Sequence, residues 1–249
     1  MTQLSDVSSF VTLSRAARSL RDLDGLVDAI RHEMGFDFYA VVQHVDVRKS
    51  QTSETVWLEN YPASWAESFV AQGFYATDPI HIASQRTSAG FVWSDVGDLV
   101  RLTANHKRIL AHARAEGMGE GFTVPAHIPG ESNGTCSFSV RVGQELPVNN
   151  LMMAQLVGTF AFEAGRRLAR DRSTDDQVKP KLTQRQLDCV IFVSRGKSDW
   201  EIAQILGIKE ATVRDYVEEA CERYGVRRRV QLIVRVLHDG HLTLRDAIG

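Results

Sequence analysis

Two hydrophobic periods alternate along the first 170 residues, and each change of period marks an element. Phe10, Leu13, Ala17, Leu20, Leu26, Ile30 and Met34 recur at helical spacing. A break near Asp22–Asp24 predicts two short helices. FDFYAVVQHVDV (36–47) and SETVWL (53–58) then alternate as strands. YPASWAESF (61–69) returns to helical period and sets Tyr61 and Trp65 four positions apart, which on a helix is one face, one turn. DPIHIASQ (78–85) reads as a short helix, FVWSD (91–95) as a strand end, and 97–117 as one longer helix stopped by Gly117. FTVPAHI and TCSFSVRV flank the turn PGESNG and predict a hairpin. A last helix runs from about 149 to 172. Helices, strands, hairpin and helix in this order fit an α/β/α sandwich around a central antiparallel sheet.

Residues 171–181, DRSTDDQVKPK, are polar and aperiodic, and they contain Pro180. They separate a unit at 1–172 from one at 182–249, with 173–181 as linker. Beyond the linker everything reads as helix, in four segments at about 183–195, 199–206, 210–224 and 227–238. Thr183 with Gln186 and Ser198 with Glu201 match the reciprocal capping box, and Gly196, Gly225 and Gly240 stand where helices end. The middle two helices have helix-turn-helix proportions. The fold class is therefore α+β: the amino-terminal sandwich plus an all-α, four-helix carboxy-terminal domain.

Composition changes this picture in one respect. The net charge of −2 is unremarkable, but residues 179–249 hold 13 Lys/Arg against 10 Asp/Glu, and the rest holds 16 against 21. The positive surplus sits in the helix-turn-helix half. Cys136, Cys189 and Cys221 show no C-x-x-C spacing and no His at ligand distance in sequence, so neither a metal nor a disulfide framework is expected. No segment reaches the roughly 18 apolar residues of a membrane span, and MTQLSDVSSF lacks the pattern of a secretory leader. A cytoplasmic protein with no membrane partner is expected.

In 210–224, Val213, Val217, Ala220, Cys221 and Tyr224 form one stripe, leaving Arg214, Asp215, Glu218, Glu219 and Glu222 outward. Such a helix enters the major groove. This one carries three basic and five acidic residues between Lys209 and Tyr224, whereas phosphate contact needs cations. Lys197, Lys209 and Arg227–Arg229 flank it. The stretch LTQRQLDCV…GKSDWEIAQILGIKEATVRDYVEEACERYGV resembles the LuxR-type helix-turn-helix over about 60 residues, matching at Leu182, Thr183, Arg185, Gly196, Lys197, Ser198, Glu201, Ile202, Ala203, Leu206, Ile208, Thr212, Val213 and Val226. It departs at Gln186 (usually Glu), Lys209 (Ser/Thr), Tyr216 (His), Glu219 (commonly Asn) and Arg223 (commonly Lys). The resemblance implies a double-stranded DNA contact through Lys197, Lys209, Thr212, Arg214, Asp215, Tyr216, Glu219, Arg223 and Arg227. Glu218 and Glu219 either accept from cytosine or mark a weak reader.

NYPASWAESFVAQGFYATDPI…FVWSD resembles the autoinducer-binding domain of acyl-homoserine-lactone receptors, at Tyr61, Pro62, Trp65, Asp78, Pro79 and Trp93, with Gly117, Gly121 and Pro125 following. The resemblance implies a small-molecule autoinducer and no cofactor. Trp65 would donate to the lactone carbonyl, Asp78 accept the amide N–H, and Tyr61, with Ser137, meet the amide carbonyl; Trp93 would pack on the ring. Taken singly, Tyr61 and Trp65 fit core packing, and Asp78–Pro79 fits a helix start. Phe38, Val41, Thr52, Phe69, Ile80, Phe122, Val124 and Cys136 are candidate walls for an alkyl or aryl acyl tail. The expected function is a quorum-sensing regulator that binds DNA as a homodimer through the 149–172 helix and the last helix, with Ile233, Val236 and Leu237. An antagonist with little DNA affinity of its own is the alternative. GESNG (130–134) satisfies G-x-S-x-G, but TCSFSVRV after Ser132 alternates as a strand, where a hydrolase elbow needs a helix. No catalytic activity is expected.

Overall fold

The computed structural model describes residues 4–45, 55–128, 131–170 and 180–248. Residues 173–179 of the expected linker, and Thr52, lie outside them. The chain forms two compact units.

The amino-terminal unit begins with α1 (Leu4–Ala16) and α2 (Leu20–Glu33). The break between them falls at residues 17–19, ahead of the expected Asp22–Asp24. Ser19 Oγ accepts the Asp22 N–H and Asp22 Oδ2 accepts the Arg18 N–H, so Asp22 helps to open α2 rather than to break a helix. Strands β1 (Phe38–Gln43), β2 (Trp57–Glu59), β3 (Phe91–Val92), β4 (Met118–Ala126) and β5 (Gly134–Arg141) form one sheet in the order β2-β1-β5-β4-β3, every pair antiparallel. Pro125 sits inside β4 beyond the reach of β3, which pairs only with Phe122 and Thr123, so its missing N–H costs no ladder bond there.

Strand alternation sorts the sheet into two faces. Val41, Phe122, Val124, Cys136 and Phe138 point into the main core with α1, α2 and α7 (Leu151–Arg170). Ala154, Gly158, Ala161 and Gly165 bring α7 close to the sheet: a Cβ on Gly158 would lie 2.8 Å from Val124 Cγ2. The opposite face carries α3 (Ala63–Ala71), α4 (Pro79–Ser84), α5 (Val96–Leu99) and α6 (Ala104–Ala115). The single helix expected at 97–117 is thus two, because Thr103 and His106 close a capping box that starts a new helix.

The carboxy-terminal unit contains α8 (Gln184–Ser194), α9 (Asp199–Leu206), α10 (Glu210–Arg223), α11 (Arg229–His238) and a short α12 (Leu244–Ile248) absent from the expected four. Both capping boxes form as expected. Gly207 turns α9 into α10 at φ 65°, a conformation that favours glycine. Cys189, Val190, Ile202, Val213, Val217, Leu232 and Val236 make its core.

Candidate functional site

A cavity of about 350 Å³ opens between the second sheet face and α3, α4 and α6, at the small end of the usual range for ligand pockets. Tyr61, Trp65, Asp78, Trp93 and Ser137 all line it, although they lie 76 positions apart in sequence. The helix and sheet geometry brings the whole expected set together.

Tyr61 arrives by a route the sequence spacing does not indicate. Pro62 is the N-cap of α3, with extended φ −52° and ψ 131°, so Tyr61 precedes the helix rather than sharing its face with Trp65. A residue before proline is biased to extended backbone. Its N–H donates to Glu59 Oε2 at 2.6 Å and its ring meets Phe38 edge-on at 6.2 Å. Burial first, and then the nearby Asp78, Cys136 and Glu59, pushes the Tyr61 phenol above its usual range. The hydroxyl therefore keeps its proton and remains a donor.

Trp93 and Trp65 differ in what their indole N–H groups do. Trp93 donates to Thr123 Oγ1 at 2.8 Å, and Thr123 Oγ1 lies 2.9 Å from Ser137 Oγ. Ser137 lines the cavity together with Tyr61, and its hydroxyl partly offsets the rise of the Tyr61 phenol. An indole nitrogen only donates, so Thr123 Oγ1 accepts from Trp93, while between Thr123 and Ser137 either hydroxyl can be the donor. Trp65 is 5% exposed, and its indole N–H has no hydrogen bond to any described residue. Trp93 lies flat on β4 because Gly121 has no side chain: a Cβ there would come within 2.4 Å of Trp93 Cε2.

Asp78 serves two roles at once. Oδ1 caps α4 by accepting the Ile80 N–H at 3.2 Å, with Pro79 at N1, as the helix-start reading expects. Oδ2 is left for the cavity, 3.7 Å from His81 Nε2, and the residue is 7% exposed. A buried carboxylate oxygen of this kind needs a donor. Burial also raises the Glu59 carboxyl, which lines the same space.

Of the expected tail walls, Phe69 and Ile80 line the cavity. Val41, Phe122, Val124 and Cys136 do not; they face the main core on the opposite side of the sheet. Strand period is two, so a choice of the wrong parity moves every residue to the other face. Ala40 and Val42 are the β1 residues that line the cavity. Thr123, Glu59 and His81 were missed. Register across Ser137, which pairs with Thr123 and Ala40, is the signal that finds Thr123.

The carboxy-terminal residues behave less uniformly. Lys209, Asp215 and Arg227 are exposed, and Thr212 is half-buried on α10. Tyr216 packs partly against the core. Lys197 pairs with Glu201 at 3.3 Å, Arg214 with Glu210 at 3.3 Å, and Arg223 donates to the Lys181 carbonyl at 3.0 Å. Glu219 accepts from Gln186 Nε2 at 2.8 Å. Two of the positions that depart from the usual pattern, Gln186 and Glu219, are therefore bonded to each other. Val236 is fully buried in the core, while Val230 and Val234 are the exposed apolar residues of α11. After Ser132 comes β5, paired antiparallel to β4, so the GESNG stretch is a hairpin connection, with Gly130 outside the described residues. No helix among the described residues is long and apolar enough to cross a membrane.

Residues 19–165 match the family model of the autoinducer binding domain, and residues 180–236 match that of bacterial regulatory proteins of the luxR family. The chain is similar to the transcriptional activator protein VanR of Vibrio anguillarum, 27% identical over 89% of this chain and 91% of that protein. It is also similar to the quorum sensing-dependent transcriptional regulator RpaR of Rhodopseudomonas palustris, 28% identical over 84% of each. Among solved structures, Escherichia coli SdiA in complex with octanoyl-rac-glycerol shares the fold at a TM-score of 0.65, with 20% identity over 96% of this chain and 97% of that one.

Proposed function

We propose that this chain, which belongs to the LuxR family of bacterial regulatory proteins and regulates transcription in response to a small-molecule autoinducer, takes an N-acyl-homoserine lactone, alkyl or aryl in its tail, as that ligand. The observation that carries the reading is the cavity's set of unmet polar atoms. Trp65 offers an indole N–H with no partner among the described residues, Tyr61 a protonated hydroxyl on the cavity wall, and Asp78 its second carboxylate oxygen. An acyl-homoserine lactone needs two donors for two carbonyls and one acceptor for one amide N–H, and buried polar groups must be met. Trp65 takes the lactone carbonyl, Tyr61, steadied by Ser137, the amide carbonyl, and Asp78 the amide N–H. Trp93, its own N–H spent on Thr123, is an aromatic wall.

Residues 1–172 form the ligand unit, 173–181 the linker and 182–249 the DNA unit. On α10, Lys209, Thr212, Arg214, Asp215 and Tyr216 face the major groove, and Lys197, Arg223 and Arg227 hold phosphates on either side. The internal bond of Glu219 to Gln186 favours this reading over an antagonist, since it gives that acid a task in the scaffold. The protein acts as a cytoplasmic, non-enzymatic homodimer. Val148, Met152 and Leu156, exposed at four-residue spacing on and before α7, and Val230 with Val234 on α11 are the contact surfaces.

Thermal unfolding of the full chain with and without lactone tests the reading. A bound ligand at a hundredfold excess over Kd adds about 2.7 kcal/mol. Wild type should gain stability, and Trp65→Phe and Asp78→Ala should gain far less. Equal gains in all three would sink the site assignment.

A further inference from the structure

One polar group in the cavity has no task in the lactone reading. His81 lies one helical turn after Asp78 on α4, and its ring lines the cavity. Nδ1 of that ring is enclosed without a hydrogen-bond partner, whereas Nε2 faces a carboxylate oxygen of Asp78, a group that only accepts. The proton therefore belongs on Nε2. That nitrogen faces Asp78 Oδ2 at 3.7 Å, too long for a hydrogen bond, so the N–H stays available beside the carboxylate.

The ring is held in place on both sides. His44 stacks on it with 4.0 Å between centroids at 26°, and Phe69 meets it edge-on at 5.5 Å. His44 is itself tied to Thr135, Nε2 to Oγ1 at 3.1 Å. Burial above all pushes the His44 pKa down to about 2, so His44 is a neutral stacking partner near pH 7.

We propose that the autoinducer carries an oxygen on the third carbon of its acyl group, as a 3-oxo or 3-hydroxy substituent, and that His81 reads it. This rests on the lactone reading above. With the amide held by Asp78 and Tyr61, a side chain one turn beyond Asp78 stands beside the first acyl carbons. An unsubstituted chain presents only methylenes there and leaves the His81 N–H unmet, whereas an oxygen pairs it. A site built to hydrogen-bond a substituent discriminates against the analogue that lacks it more sharply than an apolar site does.

The test is equilibrium binding of the full chain to homoserine lactones in matched pairs, unsubstituted against 3-oxo and 3-hydroxy, at each even length from hexanoyl to dodecanoyl, with an aroyl lactone alongside. At the best length the oxygenated member should bind tighter by on the order of tenfold, the worth of one net hydrogen bond. His81→Phe keeps the aromatic stack and removes the donor, and should weaken only the oxygenated member until the pair is nearly equal. His81→Gln retains an N–H and should keep part of the preference; it also serves if the Phe variant does not fold. Equal binding within every pair in wild type, a preference that survives His81→Phe, or binding of the aroyl lactone alone would each overturn the proposal and leave the lactone site standing. Failure of every lactone to bind would overturn both.

Discussion

Glu219→Ala takes the acceptor away from a buried amide. Gln186 is 1% exposed; its Oε1 accepts the Thr183 N–H at 2.9 Å and its Nε2 donates to Glu219 Oε2 at 2.8 Å. One substitution on α10 therefore leaves a donor unmet inside α8, at a cost of about 1–3 kcal/mol. Gln186→Glu alone is no better, because it faces one carboxylate with another. Gln186→Glu with Glu219→Asn reverses donor and acceptor and should recover most of the loss, since Asn then donates to Glu. The coupling between the two changes should be about 1–2 kcal/mol in the double-mutant cycle. Hydrogen exchange of peptides from α8 and α10, measured in the full chain, reads that energy locally and needs no two-state assumption for the two units together. Protection in Glu219→Ala equal to wild type, or a double variant no better than the sum of its singles, would refute the reasoning.

Three further outcomes follow from the same geometry. Gly121→Ala places a Cβ within 2.4 Å of the Trp93 ring and should cost about 1–3 kcal/mol of overpacking, together with lactone affinity, in calorimetric titration. The Asp199 carboxyl is held below its usual range, chiefly by its hydrogen bonds to Arg229 at 2.5 and 2.7 Å. That contribution is present above the unfolded pKa of about 4 and is lost as pH falls through the lower folded value; Asp199→Asn should therefore flatten acid unfolding below about pH 4, by no more than about 1 kcal/mol for a partly exposed pair. Arg227→Ala should weaken DNA binding evenly across sequences and reduce the slope of log K against log salt by about one, read by gel shift over a salt series; an unchanged slope would remove Arg227 from the interface.

Local chemistry and pairwise spacing made the fold largely legible. Both capping boxes of the carboxy-terminal unit, the glycine helix ends and the hairpin at 132–134 follow from residues within a few positions of one another. The misses are of two kinds. Thr103 and His106 split the 97–117 segment through a cap whose second member is a histidine, outside the usual Glu/Gln pattern, and Pro62 removed Tyr61 from the helix while leaving it beside Trp65 in the cavity. Strand parity is the other kind: Val41, Val124 and Cys136 are as apolar as Ala40 and Val42, and only the packing of α7 decides which face is core. Tyr61, Trp65, Asp78, Trp93 and Ser137 could be named because their order resembles a known pattern. Thr123 joins Trp93 and Ser137 across 30 and 14 positions, and His44 stacks on His81 across 37, so no local spacing encodes them.

The most direct test is to produce the chain in a host that makes no lactones, supply a panel of acyl- and aroyl-homoserine lactones, and identify what co-purifies by mass spectrometry. One lactone retained in near-stoichiometric amount by wild type, and lost by both Trp65→Phe and Asp78→Ala while those variants remain folded, is the predicted result. Folded wild-type protein that retains none of the panel would contradict the account.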